Sequence, residues 1–207
     1  KERKQLAEHN IIWYRTTWHS GRLKLIKKAI DFGYGMLLSL YLILKHKVSD
    51  IYSEGFPGAI MGYYLSKISG KPHHVHTFEP HADYMVESGV WKEGSWEAKL
   101  IYKLQNKIAT QSKTILTATQ AMIDLYSSKA PLTQFHRVPS CVDLSLFKFN
   151  PLKRNENRTK WNINPDTKLL VYLGKFGGMY WDKELFELLT TFQTSKVYKF
   201  QLLIISQ

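Results

Sequence analysis

Short runs rich in β-branched and aromatic residues alternate along this chain with longer runs of helical period. That alternation constrains the fold more than any other feature. Residues 10–16, 50–54, 73–78, 114–117, 134–138, 168–173 and 199–205 read as strands. Between them, helical spacing predicts helices from Leu23 to about Lys45, over 59–69 with Pro57 at the start and Gly70 as the stop, over 96–109 behind a Ser95 cap, and over 120–128 and 182–194. Strands separated by helices imply crossover connections. The expected class is α/β, with a mostly parallel sheet and helices on both faces. In such sheets ligands bind at the carboxyl ends of the strands. That rule selects the segments just after the strands.

Composition removes several alternatives. The chain has 207 residues, 44% of them apolar, which is enough for a real core and argues against global disorder. A single cysteine, Cys141, excludes an internal disulfide and favours a reducing, cytoplasmic setting. The longest apolar run, from Met36 to Leu44, is far short of the roughly 20 residues of a membrane-spanning helix. The net charge of +12 is uneven: residues 1–47 hold ten basic and three acidic side chains. Arg22, Lys24, Lys27 and Lys28 lie together at the start of the first long helix, opposite Leu23, Ile26, Ile30 and Leu37, and share their side with Asp31. They form either a solvated face or a contact for an anionic membrane surface. No helix-turn-helix, zinc-finger or RNA-recognition pattern accompanies the charge, so nucleic acid is not an expected partner.

The polar residues after the strands form the candidate site. Glu54 ends one strand beside a glycine turn, where a carboxylate accepts ligand hydroxyls or caps a helix. The run from His73 to His81 holds four histidines and Glu79. Alternation puts His74 and His76 on one sheet face and His73 on the other. No cysteine cluster or HExxH spacing supports a metal, and none is expected. Glu79 and His81, in the long connection over 79–94, are the expected catalytic pair; His19, Glu54 and His76 are the expected acceptor-binding residues. Gly174, Lys175, Gly177 and Gly178 follow a strong strand and offer backbone amides and one positive charge to a phosphate. Their spacing matches neither GxGxxG nor GxxxxGK[ST], and a plain tight turn explains them equally.

Several segments together resemble a known family. Val138-Pro139-Ser140-Cys141-Val142-Asp143-Leu144-Ser145-Leu146-Phe147 is similar to the "VPNGVD…F" segment of group 1 (family 4) GT-B glycosyltransferases. Leu169 to Phe176 resembles the "vlYvGRl" strand and loop that open the family's second domain. Ser49-Asp50-Ile51-Tyr52-Ser53, Gly70-Lys71-Pro72-His73 and the run from Ser112 to Thr119 resemble strand starts of its first domain, in the same order. The resemblance implies two Rossmann-like domains. One, over 1–148, binds the acceptor and lacks its first strand. A linker over 149–164 leads to the beginning of a nucleotide-sugar domain over 165–207. On this reading the chain is a fragment, inactive by itself, and the family's EX7E motif would follow Gln207.

The resemblance further implies retaining transfer of a hexose from a nucleotide-diphosphate sugar, without cofactor or metal, to a lipid-linked or cell-envelope saccharide. Lys175 stands where the family has the arginine of "GR". The later lysine of "KG" would fall close to Tyr180, with Lys183 out of register. Two other readings are a nucleotide-sugar epimerase of the same fold and a non-catalytic membrane-surface module.

Overall fold

A computed structural model describes residues 2–206 except 18, 20, 78, 178, 179, 181 and 195–199; at 24, 25 and 193 only the backbone is described. The elements in order are α1 (Glu2–Glu8), α2 (Lys24–Lys45), β1 (Ile51–Glu54), α3 (Gly55–Ser69), β2 (His73–Thr77), α4 (His81–Glu87), α5 (Trp96–Gln111), β3 (Thr114–Thr117), α6 (Gln120–Ser127), β4 (Gln134–Arg137), α7 (Pro151–Lys160), β5 (Lys168–Leu173), α8 (Lys183–Thr194) and β6 (Phe200–Ile205). They form two compact units, residues 1–81 with 100–139 and residues 82–99 with 140–207.

The first unit is built on a four-stranded parallel sheet in the order β1-β2-β3-β4. Helices flank it, and the α/β, Rossmann-like class expected from the alternation is the observed one. Strand period places Ile51 and Ser53, His73 and Val75, and Ile115 and Thr117 on one face, where all are buried. Phe56, Ala59 and Tyr63 of α3 and Ile108 and Ala109 of α5 close over Val75 and Ile115, with Tyr126 of α6 alongside. Each fully buried aliphatic side chain here contributes about 1.5–3 kcal/mol. Helix ends are tied to this layer by local hydrogen bonds. Thr119 Oγ1 accepts from Met122 N–H at 3.3 Å and opens α6. Thr133 Oγ1 donates to the carbonyls of Ala109 and Ser112, at 2.7 and 3.0 Å, and so serves the carboxyl end of α5.

The polar centre of that face is His73, 2% exposed. Its Nε2 lies 2.6 Å from Ser53 Oγ and its Nδ1 3.4 Å from Ser112 Oγ. Gly62 of α3 passes so close that a Cβ there would stand 2.3 Å from Nε2, which explains a glycine inside a helix.

In the second unit, β5 pairs with β6 in parallel. Arg158 Nη2 donates to the carbonyls of Asn164 at 2.6 Å and Thr167 at 2.5 Å, which holds α7 to the approach of β5.

Four expectations change. Residues 10–16 form no strand: Ile11, Ile12, Trp13 and Tyr14 are exposed (Ile12 by 67%), and no described strand runs beside them to supply a ladder. Tyr14 instead meets His46 through its hydroxyl, 2.9 Å from Nε2. The stretch expected as a linker over 149–164 contains α7, because Asn150 Oδ1 accepts from Lys153 N–H at 3.1 Å and Pro151 starts the helix. The long connection after β2 contains α4.

The fourth change concerns α2, which buries the opposite side from the one its apolar period selects. Asp31, Gly35 and Ile43 face inward, whereas Leu23, Ile26, Ile30 and Leu37 are exposed. The inward side rests on α3, with Met36, Leu40 and Met61 around Ile43, Ile51 and Leu65. Asp31 can sit on that side because His19 satisfies it.

Burial holds His73 deprotonated, with its pKa pushed down to about 4 from 6.5; the neighbouring His74 lowers it further in the same sense. Below pH 6.5 the unfolded chain takes up a proton at His73 that the folded chain refuses until about pH 4. Stability therefore declines as pH falls through that window, by about 3 kcal/mol in all. Urea unfolding at pH 7.5 and 4.5 checks this. His73→Gln should show a shallower pH slope, and an equal slope would remove His73 as the cause.

Candidate functional site

Because β1 to β4 are parallel, their carboxyl ends share one edge. The register pairs Glu54 with His76 and Thr77 with Thr117 there. Glu54 ends β1 and occupies the N-cap position of α3, but its side chain makes no capping bond. It takes the Tyr52 hydroxyl at 2.6 Å and lies 3.1 Å from His76 Nδ1. The Tyr52 hydrogen bond is the main cause that lowers the Glu54 pKa, with His76 adding to it, and the same bond raises that of Tyr52. Glu54 is thus an ionised, half-exposed acceptor, suited to ligand hydroxyls.

Glu79 and His81 form a second pair, with Nδ1 3.6 Å from Oε1. His81 is not in a loop as expected; it is the first residue of α4. Its ring stacks on Phe56, with centroids 4.8 Å apart and planes at 21°. Phe56 follows Glu54 by two residues, so the turn from β1 into α3 supplies both a carboxylate and the platform for the second histidine. The structure thereby assembles Glu54 with His76 and Glu79 with His81 at the carboxyl edge. Each imidazole has a carboxylate partner that orients it. Of the remaining histidines in the run, His74 pairs with Asp50 at 3.1 Å and His73 is the core residue already described.

His19 has a different partner. Its backbone N–H donates to Asp31 Oδ2 at 2.8 Å, and its Nδ1 lies 2.5 Å from Oδ1. The Asp31 side chain is 5% exposed and the His19 ring 51% exposed. Hydrogen bonds from the His19 backbone and then its ring hold the Asp31 carboxyl below its ordinary pKa. An ionised Asp31 fixes the neutral ring as the Nδ1–H tautomer, which leaves Nε2 as a proton acceptor. Asp31, the partner of His19, is a residue that the sequence reading placed on the solvent side. Its signal was available: it is the sole acidic residue in α2.

In the second unit, Gly174 donates its N–H to the Ile205 carbonyl at 3.1 Å. That amide extends the β5–β6 ladder. The Lys175 carbonyl accepts from the Tyr172 hydroxyl at 2.5 Å, and the Lys175 side chain is exposed. Phe176 stacks between Tyr172 and Phe186, at 4.9 and 6.0 Å. Gly177 turns the chain at φ +80°, a conformation that favours glycine. Gly178 lies outside the described residues.

Of the basic group before and along α2, Arg22 and Lys28 are exposed and Lys27 is half-buried; the Lys24 side chain lies outside the described residues. Among the described residues, no group of three or more His, Cys, Asp or Glu side chains is arranged to hold a metal ion. No described helix is long and apolar enough to cross a membrane.

The fold places the chain among Rossmann-like α/β proteins. Among solved structures it is similar to Anabaena HepE, crystallised in complex with UDP, at 13% identity and a TM-score of 0.54; the match covers 99% of this chain and 58% of HepE. The chain therefore spans little more than half the length of that neighbour. A match to carboxynorspermidine decarboxylase from Campylobacter jejuni, complexed with norspermidine, covers 84% of this chain and 49% of that one at 15% identity; its TM-score of 0.29 is too low to bear on the fold. No family model matches the chain, and no curated protein sequence does.

The His19 geometry makes a direct prediction. Nitrogen-15 NMR of the imidazole at pH 8 should find His19 as the Nδ1–H tautomer in the parent chain. Asp31→Ala should shift it toward Nε2–H. An Nε2–H ring in the parent chain would contradict the pairing.

Proposed function

We propose that the chain is part of a glycosyltransferase whose complete form moves a hexosyl group from a nucleotide-diphosphate sugar to a saccharide acceptor. The observation that carries this reading is the fold match over 99% of the chain to HepE, a protein crystallised with UDP. The first unit serves the acceptor and the second begins the donor side. Glu54 accepts acceptor hydroxyls, and His76 and His81, oriented by Glu54 and Glu79, flank them. Positive charge and backbone donors are what a departing diphosphate requires. Lys175, together with the amides of the Gly177 turn, offers both. Lysine supplies that charge as a point, without the bidentate grip of arginine. Retention at the anomeric carbon and a lipid-linked or cell-envelope acceptor follow from the family resemblance and are part of the same proposal.

Isothermal titration with UDP tests the donor side. The complete protein should bind UDP, and Lys175→Ala in it should weaken binding about tenfold, the effect of removing roughly 1.4 kcal/mol. Absence of UDP binding to the complete protein would sink the reading.

A specific observation supports a membrane-surface role beside it. Leu23, Ile26, Ile30, Leu37 and Leu44 are exposed along α2, and the exposed cations Arg22 and Lys28 lie at its start. An apolar stripe beside basic side chains suits an anionic bilayer surface on the cytoplasmic side. Cosedimentation with vesicles containing phosphatidylglycerol should exceed that with pure phosphatidylcholine vesicles and fall in Arg22→Glu/Lys28→Glu. Equal sedimentation in both lipids would exclude an electrostatic contact.

A further inference from the structure

A cavity of about 40 Å³ lies within the first unit, lined by residues of α3, α5, α6 and the strands, with Thr77, Glu79 and Thr117 among them. Thr77 and Thr117 are the last residues of β2 and β3, so the cavity reaches the carboxyl edge that holds Glu79 and His81. Most of its wall is apolar, including Phe56, Val75, Ile108, Ile115, Met122 and Phe135. Thr117 is 1% exposed, and its Oγ1 has no hydrogen-bond partner among the described residues. Buried hydroxyls in proteins are nearly always paired, so this one points to a partner that is not protein.

The chemistry of that partner is narrow. Water needs two to four polar contacts to settle in such a space. Among the other polar wall groups, the Gln105 amide donates to the Tyr126 hydroxyl at 2.7 Å and the Thr77 hydroxyl donates to the Glu79 carbonyl at 3.3 Å, so these donor protons are engaged. A purely aliphatic group would fill the space and leave Thr117 unmatched. A methyl ketone-like end satisfies both demands. Its methyl meets the apolar wall, and its carbonyl accepts the Thr117 hydroxyl. A hydrogen-bond donor next to that carbonyl would meet Glu79, which also lines the cavity. An acetamido group carries these three features in that order, and about 40 Å³ admits its acetyl end but not a sugar ring.

We propose that this cavity receives the acetamido group of a 2-acetamido sugar, which makes the acceptor an N-acetylhexosamine-containing saccharide. The inference rests on the saccharide-acceptor reading above and adds the acceptor class to it. Thr117 becomes the specificity-determining donor, and Phe56 links the pocket to His81 through their stacked rings.

The test is an NMR titration of the 207-residue chain with N-acetylglucosamine, glucose and acetamide, read at the methyl groups of Val75, Ile108, Ile115 and Met122. N-acetylglucosamine should shift these methyls and bind at least tenfold tighter than glucose, and acetamide should shift the same set. Thr117→Val should weaken N-acetylglucosamine at least fivefold, and Thr117→Ser, which keeps the hydroxyl, should restore it. Equal binding of the two sugars, or no methyl shift with either N-acetylglucosamine or acetamide, would overturn the proposal and mark the cavity as a water site. The sugar comparison uses the parent chain, so it decides even where Thr117→Val does not fold. UDP titration of the complete protein separates the two readings. Sugar binding without UDP binding leaves the pocket and removes the transferase; the reverse removes the pocket alone.

Discussion

Register in the first unit depends on the buried contact between His73 and Ser53. A strand slip of one residue would turn every side chain of β1 to the other face. It would also bring a residue other than Ser53 to His73 Nε2 and leave a buried imidazole nitrogen without its partner. The 2.6 Å hydrogen bond therefore holds β1 against β2 in the one alignment that sets Glu54 beside His76. Ser112 approaches the other ring nitrogen at 3.4 Å, just ahead of β3, so the same imidazole bears on three strands. Gly62 completes the device, since any side chain there would displace the ring. A core interaction thereby fixes the geometry of a surface site one residue further along β1 and three further along β2.

Six strands, their parallel order and the α/β class were legible because β-branched runs and helical runs alternate cleanly, and parallel strands need crossover helices. Alternation within the 73–78 run also separated His73 from His74 and His76 correctly, since period two is a property of the backbone. The readings that failed depended on neighbours. Residues 10–16 have the composition of a strand, but a strand exists only where another supplies its ladder. Periodicity in α2 located an apolar stripe but could not say which side would meet α3; the His19–Asp31 pair, twelve residues apart, makes the polar side admissible. Polarity over 149–164 suggested a linker because the helical signal of α7 lies in its Asn150 cap and Pro151, not in apolar period.

The site's carboxylates were legible as residues but not as pairs. Glu54 could cap a helix or face a ligand. The structure separates these, because the carboxylate turns away from the α3 amides toward Tyr52 and His76. Tyr52 was unmarked in the sequence, although it stands two residues before Glu54 on the same face of β1, as period two requires. Phe56 was equally unmarked as a platform for His81. Aromatic rings within four residues of a strand-end acid are a recognisable signal once the parallel edge is in view.

Charge in the two units follows different logic. At the carboxyl edge of the first unit, His76 and His81 are each matched by an acid, and Arg137 ends β4 with an exposed side chain. Exposed positive charge also lies at Arg22 and Lys28 by the start of α2 and at Lys175 beside the Gly177 turn. In the second unit Gly174 gives its amide to the ladder, while the Tyr172 hydroxyl holds the Lys175 carbonyl. The ring stack of Tyr172, Phe176 and Phe186 then braces the loop from below. On the proposed donor reading, Lys175 would meet a diphosphate as a point charge, without the bidentate grip of an arginine.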